Sequence, residues 1–154
     1  MAVATRFINR YDSYSRAFAK LEELVKVFLK DDTANLFAAT ELTLNNEIAR
    51  EALIKRFEFT QELSWNLLKD YLQYQGETEM AGSRDTFRRA LKLGIISDGK
   101  WMDTIVDRNL SAHDYNDSKA KEISDRIISD YYPLFADLLE KMKVIIANIP
   151  LSER

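Results

Sequence analysis

Cysteine is absent from the 154 residues, which excludes disulfides, a thiolate nucleophile and cysteine-ligated zinc. Histidine occurs once, at His113. No Glu-x-x-His pair exists to build a di-metal bundle site, so no metal and no cofactor is expected. Proline is confined to Pro133 and Pro150, and all four glycines fall between Gly76 and Gly99. Every long periodic segment is therefore free of glycine, and no Asn-Gly or Asp-Gly turn joins alternating strands. No apolar run approaches ~18 residues, and Met1 to Arg10 lacks an apolar core of signal-peptide length. A soluble, cytoplasmic chain without membrane association is the expectation. The net charge of −3 is not the basic footprint of a general nucleic-acid binder, so any RNA-directed activity must use a local patch.

What is present is helical periodicity. With 46% hydrophobic residues, the chain is long enough for one domain, residues 1–154, with a real core. Tyr11, Tyr14, Phe18, Leu21, Val25 and Phe28 alternate at spacings of three and four, which predicts a helix over 5–30 with a bundle-type seam. Residues 31–46 read as a loop with room for a short helix. A second helix is expected over 46–75, with asparagines at its N-cap and Gly76 ending it. Its apolar residues, among them Leu53, Phe57, Phe59, Leu63 and Trp65, cover a wide arc and mark it as central. Glu58 and Glu62, four apart within it, read as partners for arginines in the bundle.

Ser83 is expected to cap a short third helix closing at Gly94. Within it Arg84, Arg88 and Lys92 form a stripe, with Arg89 alongside. That stripe is either a solvated face or a surface for a phosphate backbone or an acidic partner. A fourth helix follows the Ser97-Asp98-Gly99 turn. A fifth, capped by Asn116-Asp117-Ser118, spans 118–147 with a kink at Pro133. The sum is an all-α, up-and-down bundle of four to five helices with no sheet.

The chemistry concentrates in Arg108-Asn-Leu-Ser-Ala-His-Asp-Tyr115. Histidine exchanges protons near neutral pH, and arginine's planar fork suits phosphate oxygens. Five residues of ideal helix separate the two by about 140°, so a shared site needs the arginine's reach or a break at Ser111-Ala112. Asp107 and Asp114 flank the motif, and either could orient His113. Taken alone, His113 reads first as a hydrogen-bonded surface or core histidine and only second as a catalytic base.

Arg108-x4-His113 followed by Asp114-Tyr115 resembles the R-x4-H-x-Y signature of HepT-type toxins, in the HEPN superfamily of small helical ribonucleases. The segment from Arg56 through Phe57-Glu-Phe-Thr60 to Tyr71 resembles the nucleotidyltransferase substrate-binding subunits. The likeness runs from about Phe7 to Ile146. It implies a metal-independent RNA endonuclease, the toxin of a toxin–antitoxin pair. His113 would take the 2′-hydroxyl proton, Arg108 would steady charge on the phosphate, and Asn109 would position the phosphate or the arginine. A homodimer would supply the second proton donor that one histidine cannot. The partner implied is a minimal nucleotidyltransferase antitoxin, silencing the toxin by AMPylation of Tyr115; by position alone, Tyr115 reads as a rim tyrosine. The rival is a bundle without catalysis that binds substrate or docks for a nucleotidyltransferase.

Overall fold

The computed structural model describes residues 2–29, 39–113 and 116–154; within these, the side chains of 39–46, His113 and Asp117 are outside the description. The elements are α1 (Ala2–Leu29), α2 (Ala39–Tyr74), α3 (Ser83–Lys92), α4 (Lys100–His113), α5 (Asp117–Arg126), a π-helical segment (Ile127–Tyr131), α6 (Tyr132–Ala147) and a 3-10 turn (Leu151–Glu153). No strand occurs among the described residues, and the architecture is an all-α helical bundle.

The α1 seam buries Ala4, Phe7, Tyr14, Phe18, Leu21 and Val25, with Tyr11 and Phe28 half-buried at its margin. Its partner is α2, which also touches α3, α4, α5 and α6 and so forms the axis of the bundle. Leu53, Ile54, Phe57, Leu67, Leu68 and Leu72 on α2 are buried. Phe59 does not share their fate: it is 60% exposed, because its position turns away from the packed arc that Phe57 occupies. Two of the polar residues buried on α2 are satisfied within the helix, while Asp70 pairs with Arg6 and Arg10 of α1. Thr60 Oγ donates to the Arg56 carbonyl at 2.7 Å and Ser64 Oγ to that of Gln61 at 2.6 Å.

Two helix starts differ from expectation. The second helix begins at Ala39 and runs through Asn45 and Asn46, so those positions lie inside it and not at its N-cap. Their polarity imitated a boundary, and the helix absorbs part of the expected 31–46 loop; residues 31–38 lie outside the described ones. On α3 the N-cap is Gly82, with no side-chain cap bond from Ser83. The Asp85 carboxylate instead reaches back to accept from the Ala81 amide at 3.0 Å, placing negative charge at the positive end of the helix.

The ends behave as glycine chemistry requires. Gly76 (φ +93°) and Gly94 (φ +73°) follow α2 and α3 in the left-handed region, where a Cβ would be strained. Asn116 caps α5 as expected, its side chain accepting from the Lys119 amide at 2.9 Å. The expected single helix over 118–147 is divided by the π segment immediately before Pro133. Proline has no amide hydrogen and crowds the preceding turn. Here that turn widens, and the Tyr132 amide bonds the Ile127 carbonyl five residues back. The widened turn closes the core with aromatic contacts, Phe57 lying on Tyr131 at 5.4 Å and near Phe135 at 6.0 Å.

Candidate functional site

The motif helix α4 is fixed on two sides. Trp101, Thr104 and Ile105 are buried, with Trp101 packed between Phe87 and Phe135 at 5.3 and 5.5 Å. Gln61 on α2 donates to Thr104 Oγ at 3.5 Å. Turned toward α5 is Asp107, 4% exposed. Its carboxylate accepts from Arg126 Nε at 2.6 Å, from Arg126 Nη2 at 2.8 Å and from the Tyr131 hydroxyl at 2.5 Å. This bidentate fork holds the Arg126 pKa well above its ordinary value, the hydrogen bond to Asp107 being the main cause. Burial first, and then the bond to Asp107, push the Tyr131 phenol up.

Both Asp107 oxygens are engaged by Arg126 and Tyr131, so this carboxylate serves the packing of α4 on α5 and the π segment; its expected orienting of His113 concerns a side chain outside the described residues. Asp114 lies outside the described residues, as does Tyr115.

Arg108 faces α2. Its Nη2 lies 3.7 Å from a Glu62 carboxylate oxygen, with the two side chains 38% and 45% exposed. The distance is a charge contact longer than a hydrogen bond. Arg108 Nε is buried and has no hydrogen-bond partner among the described residues. Glu58 pairs with Lys55 at 4.0 Å. The pairing expected of the two glutamates thus holds for Glu62, while Glu58 takes a lysine. Lys55, Glu58, Phe59, Glu62 and Arg108 line one depression of about 160 Å³.

Asn109 is exposed on the next face, in line with half-buried Met102 and exposed Val106. The helix continues without a break through position 113. On an uninterrupted helix that position lies about 140° around from Arg108. The break at Ser111-Ala112 that would have brought the two together is absent; Ser111 Oγ instead donates to the Arg108 carbonyl at 2.9 Å, inside the helix. The His113 side chain lies outside the described residues.

On α3, Arg84, Arg88 and Lys92 are exposed along one line. Arg89 leaves the stripe, donating to Glu77 at 2.7 Å. Among the described residues no group of three acidic, histidine or cysteine side chains is arranged to hold a metal ion, and no helix is long and apolar enough to cross a membrane. Sequence reasoning missed Arg126 and Tyr131, which are 19 and 24 residues from Asp107 and carry no local signal. It also missed Lys55 and Phe59 as site residues, whose only trace was an apolar arc wider than a core needs.

Residues 9–144 match a family described as "Nucleotidyltransferase substrate binding protein like". A crystal structure of a protein from Thermus thermophilus is similar, with 29% identity and a TM-score of 0.63, covering 86% of this chain and 98% of that one. No curated protein matches the chain.

Proposed function

The chain belongs to the nucleotidyltransferase substrate-binding-protein-like family, and on that premise we propose that it is the helical partner subunit of a nucleotidyltransferase, docking with that enzyme and presenting it with a substrate. The observation that carries this is the extent of the family match, which includes all of α2, α3, α4 and α5 and most of α1 and α6. The exposed stripe of Arg84, Arg88 and Lys92 is suited to an acidic face of that enzyme or to RNA. The whole of 1–154 is taken as one domain acting in the cytoplasm.

A second reading is favoured by the state of Arg108, whose guanidinium is held loosely and has an unpartnered Nε. Here the subunit is itself an RNA endonuclease toxin. His113 takes the 2′-hydroxyl proton, Arg108 steadies the phosphate, Asn109 positions it, and the nucleotidyltransferase silences the activity by AMPylating Tyr115. Because one histidine supplies only one of the two proton-transfer groups that the cleavage uses, this reading calls for two copies to complete one site. A symmetric homodimer with the motifs facing one cleft meets that need.

One experiment separates the readings. The chain is mixed with a candidate partner nucleotidyltransferase from the same source, with ATP and magnesium, and examined by intact mass and against labelled RNA. A stable complex without RNA cleavage by the free chain supports the partner-subunit reading. RNA cleavage lost in His113→Ala, together with a mass gain of AMP units lost in Tyr115→Phe, supports the toxin reading. Neither complex, cleavage nor modification would overturn both.

A further inference from the structure

We propose that the depression between α2 and α4 is an exchangeable anion site for the phosphate of a nucleotide unit, in which Glu62 is a resident counterion that departs when phosphate arrives. The proposal deepens the RNA-directed reading and rests on it for the use of Arg108. It adds Lys55, Phe59 and Glu62, residues of a different helix.

Three observations converge on it. First, both cations of the depression are matched by carboxylates at 3.7 and 4.0 Å, neither at hydrogen-bond distance. Half-exposed pairs of that length are weak and screened by salt. Second, Arg108 Nε is buried without an acceptor, so the protein itself leaves part of the guanidinium unsatisfied, a state that favours a ligand with several acceptor oxygens. With Glu62 displaced, the side chain is free to turn and present Nε and a terminal nitrogen together as a fork. Third, Phe59 is 60% exposed at the rim. An aromatic face beside paired cations is the arrangement that holds a base by stacking while its phosphate is neutralised.

Size and charge discriminate further. The volume of about 160 Å³ is roughly five waters' share at ~30 Å³ each. That admits a phosphate group and leaves a base to lie outside over Phe59. With Glu58 and Glu62 in place, the charges of Lys55 and Arg108 are cancelled, so an anion enters favourably only if a carboxylate leaves. Glu62, 45% exposed, has solvent to move into, whereas Glu58, at 18%, does not. The sign of the Glu62 effect is therefore fixed: removing its charge strengthens binding.

The test reads binding, not cleavage. A fluorescein-labelled 2′-O-methyl single-stranded oligonucleotide and AMP are titrated at low salt onto the purified chain and its variants, with circular dichroism verifying the fold. Glu62→Gln is expected to bind the oligonucleotide about three- to tenfold tighter, and Lys55→Ala and Arg108→Ala about tenfold weaker. Phe59→Ala should weaken it by a similar factor. Glu122→Gln, on the exposed side of α5, makes the same charge change elsewhere and should leave affinity unchanged. Binding of both ligands identifies a site open to free nucleotides; binding of the oligonucleotide alone identifies a strand site. Binding of neither, or a Glu62→Gln variant no tighter than the parent or than Glu122→Gln, overturns the proposal. A chain that binds in this pattern yet cuts no RNA keeps the anion site and loses the nuclease.

Discussion

Asp107 and Arg108 are neighbours in sequence with opposite circumstances. Asp107 is enclosed, with three donors at 2.5 to 2.8 Å. Arg108, one residue on, meets its carboxylate at 3.7 Å, with both side chains open to water. A helix advances about 100° per residue, so adjacent side chains face different surroundings. Here one faces α5 and the π segment, and the other faces an outer edge of α2. The first ion pair is structural and the second is available for exchange. Distance and solvent, not residue type, separate the two.

Breaking the enclosed side should have the largest effect. Arg126→Ala leaves the Asp107 carboxylate buried without its fork, and a loss of about 3 kcal/mol is expected, read as a lower urea midpoint at unchanged m-value. A loss under ~1 kcal/mol would show that water or another donor replaces the guanidinium. Tyr131→Phe removes one donor and keeps the ring on Phe57, so about 1–2 kcal/mol is expected in the same assay. Arg126→Ala combined with Tyr131→Phe should depart from additivity, because both act on one carboxylate.

Alkaline titration sharpens the contrast from another side. Burial, then the bond to Glu22 at 2.6 Å, push the Tyr132 phenol from 10.0 up to about 12; Tyr131 is raised as well. A raised folded-state pKa means the folded chain retains these protons longer than the unfolded one. Their contribution is full below about pH 10 and is lost as pH climbs from there toward about 12 and beyond. Stability should accordingly fall in that window, with a smaller fall in Tyr132→Phe, followed by denaturant midpoints at successive pH values. An equal fall in the variant would assign the loss to other groups.

The smallest effect is expected on the open side. Glu62→Gln should change stability by less than about 1 kcal/mol in either direction. Raising the salt concentration should shrink even that difference. A large destabilisation would place Glu62 among the structural carboxylates and bring the two halves of the comparison together.

Much of the fold was legible because helical period is a local property. Tyr14, Phe18, Leu21 and Val25 announced the α1 seam and are buried; Gly76 and Gly94 marked two ends and take positive φ. The beginning of α2 was not legible, since Asn45 and Asn46 are cap residues by type and helix interior by context. The site was read less completely. Arg108 and Asn109 were found from their motif and sit on accessible faces of α4. The carboxylate that meets Arg108 belongs to α2, far back along the chain, and the partners of Asp107 lie on α5 and the π segment. Such contacts depend on how helices rotate against one another, which a period does not record.

The π segment Ile127–Tyr131 sets a rule for insertions and deletions. A widened turn amounts to one extra residue in an otherwise continuous helix. Deleting a single residue between 127 and 131 would restore ordinary winding with the faces on either side keeping their register, whereas deleting one from the regular turns of α5 would rotate everything upstream by about 100° relative to α6. After a deletion of that second kind, residues N-terminal to it, Ala120 among them, buried at 3%, would swing off the core. Lineages of this chain should therefore tolerate the loss of one residue within 127–131, and accept it in the regular turns of α5 only with a compensating change nearby.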